Sequence, residues 1–152
     1  MQRVLSILGD STLIHLLSAD NYAKDGPNFV DSINYINKTK EQFNRDIDYL
    51  IQLCSEDSIV SYIKKKNLDD YYINLYKKFM FTDNMSNDFS DSRILLQDSK
   101  DSINELFINI ESVFNYLIRI QGSWKVENGQ ILFINDEMVN QYNHLISKIQ
   151  IK

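Results

Sequence analysis

Two stretches of this chain repeat an apolar residue at alternating intervals of four and three, and that repeat sets the fold class. Phe29, Ile33, Ile36, Phe43, Ile47, Leu50 and Cys54 keep the spacing, with Lys40 as the only gap. Leu96, Ile103, Leu106, Ile110, Val113, Leu117 and Ile120 keep it again, with Ser99 as the gap and Phe107 and Phe114 widening the row. A helix of 3.6 residues per turn gathers such residues on one face, so each stretch predicts a long amphipathic helix. Two matching faces predict a helical bundle in which they meet within one chain rather than across two.

The rest of the chain supplies shorter elements. Met1–Leu17 reads as two short helical pieces, with Asp10 or Ser11 capping the second. Asp25-Gly26-Pro27 is turn chemistry, and Asn28 is placed to cap the first long helix. A short helix is expected over Ile59–Lys66. Asn67 then caps another, on which Leu68, Tyr71, Tyr72, Leu75, Tyr76, Phe79 and Met80 share a face expected to be core. The polar, aperiodic stretch Thr82–Ser92 predicts a mobile loop before the second long helix, Ser92–Gln121.

Near the C-terminus the period falls to two. Ser123–Val126 and Ile131–Ile134 flank Glu127-Asn128-Gly129-Gln130, and Asn-Gly favours a two-residue type I′ turn. That register sets Trp124 against Phe133 and Val126 against Ile131, on one face. A lone hairpin is marginal in water, so this face should pack on the bundle. Asn135 caps a last helix carrying Met138, Val139, Tyr142, Leu145, Ile146 and Ile149. The reading is therefore mainly α: one helical domain over residues 1–152, five to seven helices, with a small C-terminal β-hairpin before the last.

Chemistry is harder to find. The chain holds two histidines, one cysteine and four scattered glycines. No His-x-x-x-His, Cys-x-x-Cys or Glu-x-x-His spacing occurs, and the acid-rich Asp83–Asp91 segment lacks the calcium-loop pattern. No Gly-x-Ser-x-Gly elbow or phosphate-cradling loop can be built either. Cys54 lies on an apolar stripe and reads as a small buried hydrophobe. His15, between Ile14 and Leu16, reads as a partly buried structural histidine, and His144 as a surface one. No catalytic residue, metal or cofactor is expected, and the chain reads as non-enzymatic.

Charge offers two candidate surfaces. The chain carries a formal net charge of -5. Asp98, Asp101 and Glu105 form a row on the outer face of the second long helix, close in sequence to Asp83, Asp88 and Asp91. Such a ridge suits a basic macromolecular partner. Residues 62–81 run the other way: Lys64, Lys65, Lys66, Lys77 and Lys78 against Asp69 and Asp70 give a local +3, leaving -8 for the rest. With Tyr72 among them, these lysines are ingredients of a phosphate or single-strand site, while Lys64–Lys66 also suit a helix C-terminus. Overall acidity weighs against nucleic acid. The reading is a protein-binding module, an acidic inhibitor or immunity-type protein, with nucleic-acid or phosphate binding as the alternative.

Residence and source follow from composition. No run approaches the ~18 apolar residues of a membrane span, and the N-terminus lacks a secretory pattern, so a cytoplasmic protein away from membranes is expected. Ile, Asn, Lys, Tyr and Phe supply 65 of 152 residues, against 11 for Ala, Gly, Pro and Arg together. That bias follows AT-rich coding DNA, as in a phage or a low-GC bacterium, and it discounts the many Asn and Lys as functional signals.

Overall fold

The computed structural model describes residues 11–66, 68–81 and 83–149, with the backbone alone at 11, 80 and 83–86. Among them are seven helices: α1 (Ser11–His15), α2 (Ala19–Asp25), α3 (Val30–Leu53), α4 (Glu56–Lys64), α5 (Asp70–Met80), α6 (Asp83–Arg119) and α7 (Asp136–Ser147). A two-stranded antiparallel hairpin, β1 (Trp124–Glu127) and β2 (Gln130–Phe133), precedes α7. The chain is thus a mainly α structure with two long helices, α3 and α6, and a hairpin before the last helix. The first predicted helical piece, Asp10 and the proposed cap Asn67 lie outside the described residues.

The described residues gather into two compact units. The first comprises residues 44–101, and the second comprises residues 11–43 together with 102–149. Each long helix contributes to both.

The second unit is built on aromatic packing. Phe29, Ile36 and Phe43 from the α3 stripe are buried, as are Phe107, Ile110, Val113, Phe114 and Leu117 from α6. The stripes meet within the chain: Phe29 and Phe114 have ring centroids 4.8 Å apart, and Phe43 and Phe107 meet edge-on at 6.2 Å. Lys40, the gap in the first stripe, is half-buried and reaches Glu111 at 3.7 Å, so a lysine there is accommodated by an ion pair.

The hairpin takes the predicted register, Trp124 opposite Phe133 and Val126 opposite Ile131. Asn128 (φ 52°) and Gly129 (φ 72°) both occupy the left-handed region that a type I′ turn demands. Its apolar face packs inward. Trp124 stacks on Phe29 at 5.8 Å with rings 14° from parallel, and its indole N–H donates to the Leu117 carbonyl at 2.8 Å. Phe133 meets Tyr142 of α7 at 5.2 Å, and Tyr142 shares a 3.1 Å hydroxyl–hydroxyl hydrogen bond with buried Tyr22.

The entry to α3 corrects the predicted cap. Asn28 is exposed; it is Asp25 whose carboxylate accepts from the Ser32 N–H at 2.7 Å and the Asp31 N–H at 3.1 Å. The reason is the backbone at Phe29, which enters the left-handed region (φ 50°) and folds the chain back so that Asp25 reaches the first turn. A bulky residue there costs about 1–2 kcal/mol, offset by the complete burial of Phe29. Asn135, by contrast, caps α7 as read, accepting from the Met138 N–H at 3.0 Å.

The first unit is thinner. Ile47, Val60 and Ile73 are its buried hydrophobic residues among those described, while Leu50, Cys54 and Leu96 are half-buried. Helices α4 and α5 pack against each other, capped by Ser55 and Asp69, which accept from the Ser58 and Tyr71 N–H groups. An ion pair of 2.6 Å ties Lys100 to Asp48. The predicted loop at Thr82–Ser92 is corrected: from Asp83 onward the segment is the opening of α6. Its polar residues Asn87, Asp88, Ser90 and Asp91 face solvent while Phe89 packs near Phe81, 6.3 Å between rings. A helix already nucleated downstream extends through such turns cooperatively, without needing a full apolar stripe.

Candidate functional site

The surface that stands out lies in the unit formed by residues 44–101. Helix α5 buries Ile73 and keeps Lys77 half-covered, so its packed side is the one these residues share. At 100° per residue, Tyr72, Leu75 and Phe79 lie on the side away from Ile73, and they are 58%, 39% and 70% exposed. Leu68, just before the N-cap, is 50% exposed, and Tyr71 and Tyr76 flank the row. The expectation that this face is core is therefore overturned. The helix DYYINLYKKFM is apolar on more of its circumference than one neighbour can cover, and packing chose the side of Ile73.

The lysines of this segment surround that face without converging on one point. Lys64 closes α4 and Lys65 caps its C-terminus, where cations complement the helix dipole. Lys66 folds its ammonium 5.1 Å over the ring of exposed Tyr62. Lys77 and Lys78 occupy the last turn of α5, while Asp69 and Asp70 occupy its start. An open groove of about 340 Å³ lies beside α4, lined by Tyr49, Leu53, Tyr62 and Lys65 among others.

Asp88, Asp91, Asp98 and Asp101 are all exposed along the part of α6 in this unit, and Glu105 is exposed further along the same helix in the other. Asp101 accepts from the Gln97 side-chain amide at 3.0 Å. The side chain of Asp83 lies outside the described residues. Between these carboxylates sit Ile94 and Leu95, both exposed, which sequence reasoning passed over. Their signal was present as three consecutive apolar residues, Ile94-Leu95-Leu96, since no helix can turn all three onto one face.

Titratable chemistry is sparse. His15 is exposed at the end of α1 rather than partly buried, because Leu13 and Leu16 take the inward positions on either side of it. His144 is exposed, and Cys54 is half-buried rather than fully buried. Among the described residues no group of three or more His, Cys, Asp and Glu could hold a metal ion, and no helix is long and apolar enough to cross a membrane. In the other unit, a cleft of about 450 Å³ beside Trp124 is lined by Tyr22, Ala23, Gly26, Pro27, Gln121, Gly122 and Val126, with no charged side chain. Burial raises the pKa of the Tyr22 phenol well above the usual tyrosine value and that of the Tyr142 phenol above it. Burial also acts to raise that of Asp25, but its hydrogen bonds from Ser32 and Asp31 prevail and hold it below the usual carboxylate value.

Set against models of known families, curated proteins and solved structures, the chain matches none of them.

Proposed function

We propose that this chain is a non-enzymatic protein-binding module, of the inhibitor or immunity type, that engages a macromolecular partner through residues 44–101. The observation that carries the reading is the exposed Tyr72–Leu75–Phe79 face of α5. Contiguous aromatic and aliphatic surface of this kind is costly to leave in water, and tyrosine and phenylalanine are enriched where proteins dock. The acidic residues Asp98, Asp101 and Glu105 would then steer a basic partner and speed encounter rather than supply most of the affinity.

The test compares capture from native lysate by the wild-type chain, by Phe79→Asp, and by Asp98→Lys/Asp101→Lys. A stoichiometric protein should be retained by the wild type and lost by Phe79→Asp. Its association rate should fall with the charge reversal, more at low salt than at high. Equal capture by all three chains, or capture of nothing, would sink the reading.

A second reading gains from the same exposure. With Tyr72 solvent-facing, Lys64, Lys65, Lys66, Lys77 and Lys78 surround rings able to stack on bases. Oligonucleotide binding that falls steeply with salt would favour it over the first.

A further inference from the structure

The side chains along the groove beside α4 stand in an order that fits one class of ligand. Tyr49 and Leu53 come to it from α3, Asp57, Ser61 and Tyr62 from α4, and Lys65 from the C-cap of α4. Asp57, Ser61 and Lys65 recur every fourth residue, so they form one row about 12 Å long at 1.5 Å per residue. We infer that the groove binds a guanine nucleotide, with the base edge at Asp57 and the phosphate at Lys65. This site stands apart from the protein-binding reading and uses none of the α5 face.

Each part of the row meets a matching part of the nucleotide. Guanine is the one common base whose pairing edge presents two adjacent N–H donors, and an ionised carboxylate accepts both. The same edge of adenine sets an acceptor beside its amine, which a carboxylate opposes. Ser61, midway along the row, is placed for the sugar hydroxyls. Lys64, Lys65 and Lys66 gather positive charge at the phosphate end, whereas Glu56 and Asp57 keep negative charge at the base end. The net charge of -5 matters little to one phosphate, since salt screens charges more than about 10 Å away. Tyr49 and Tyr62 are both exposed and offer rings on which a base stacks. Lys66 holds its ammonium 5.1 Å over the Tyr62 ring without lining the groove, which leaves the other ring face to the ligand. Neither Asp57 nor Lys65 is ion-paired to another described residue, so both charges are available. The groove's volume of about 340 Å³ lies within the range of small-molecule sites.

The test is calorimetric titration of the full chain with guanosine 5′-monophosphate, adenosine 5′-monophosphate, guanosine and inorganic phosphate. The guanine nucleotide should bind about tenfold tighter than the adenine one, because only the latter leaves Asp57 facing an acceptor. Asp57→Asn should erase that preference. Tyr49→Ala and Tyr62→Ala should each weaken the guanine nucleotide about tenfold with unchanged far-ultraviolet dichroism. Lys65→Ala should weaken it about threefold at low salt and leave guanosine as it was. Phe79→Asp should leave every one of these affinities in place.

A guanine-rich single strand separates the two sources of this chemistry. Binding tighter than the mononucleotide, with a steep fall in salt, identifies a nucleic-acid strand; equal or weaker binding identifies the free nucleotide. No binding at millimolar guanosine 5′-monophosphate, equal affinity for the adenine nucleotide or for inorganic phosphate, or affinity indifferent to Asp57→Asn and Tyr62→Ala would each overturn the site. Loss of nucleotide binding in Phe79→Asp would overturn it too, by moving the ligand to α5. Capture of a lysate protein through Phe79 alongside any of these results would leave the protein-binding reading standing.

Discussion

The two units of this chain spend their hydrophobic residues differently. Among the described residues, twelve of fifteen buried hydrophobic side chains belong to the unit formed by 11–43 and 102–149. Eleven of sixteen exposed large ones belong to residues 44–101. The unit formed by 11–43 and 102–149 therefore reads as the part that holds itself together, and residues 44–101 as the part with apolar surface left to give to a partner. A core residue explains stability; an exposed apolar face calls for a different account, because folding alone does not use it.

That contrast can be broken at its strongest point first. Phe114→Ala empties a fully buried ring site and should cost about 3–5 kcal/mol in urea titration, whereas Phe79→Ala should stay within about 0.5 kcal/mol. Similar losses at both positions would dissolve the distinction. Next is Gly26→Ala. A Cβ there would sit 2.5 Å from the Tyr22 carbonyl oxygen and 2.9 Å from the Trp124 ring, so the hairpin's seat on the second unit should loosen by about 1–3 kcal/mol. Unchanged stability would mean that the hairpin rests there only lightly.

Smaller still is Tyr142→Phe, which leaves the buried Tyr22 hydroxyl without its 3.1 Å partner and should cost about 1 kcal/mol. The smallest effect concerns acid. The Asp25 carboxyl titrates below its unfolded value, so its stabilising share is complete above about pH 4 and is lost as pH falls through the lower folded value. Asp25→Asn should flatten that acid-side fall in stability. An acid profile identical to wild type would show that the cap at α3 is not held by charge.

How far the sequence could be read depended on whether a signal was local. The stripes of α3 and α6, the Asn128-Gly129 turn, the hairpin register and the Asn135 cap all rest on spacing or on a turn residue, and each appears where it was read. The cap at α3 was misread because it hangs on the left-handed backbone of Phe29, a conformation no propensity assigns to phenylalanine. The opening turns of α6 were misread because polar residues carry no period even when helical. The α5 surface failed for a further reason: Tyr72 and Ile73 are both apolar, and only packing decides which side of the helix is covered. The acidic residues described as a row were legible as exposed positions, but what they meet is not written in their spacing.

Trp124 has a consequence in optical terms. It is the only tryptophan in the chain and sits against Phe29 in the unit formed by 11–43 and 102–149, while the aromatic residues of 44–101 are tyrosines and phenylalanines. Indole emission therefore reports the melting of one unit and is silent about the other, whereas helix dichroism sums both. Recording the two signals on a single unmodified sample separates the fates of the two units: coincident curves mean that they unfold as one, and a dichroic loss preceding the fluorescence change means that the thinner unit opens first.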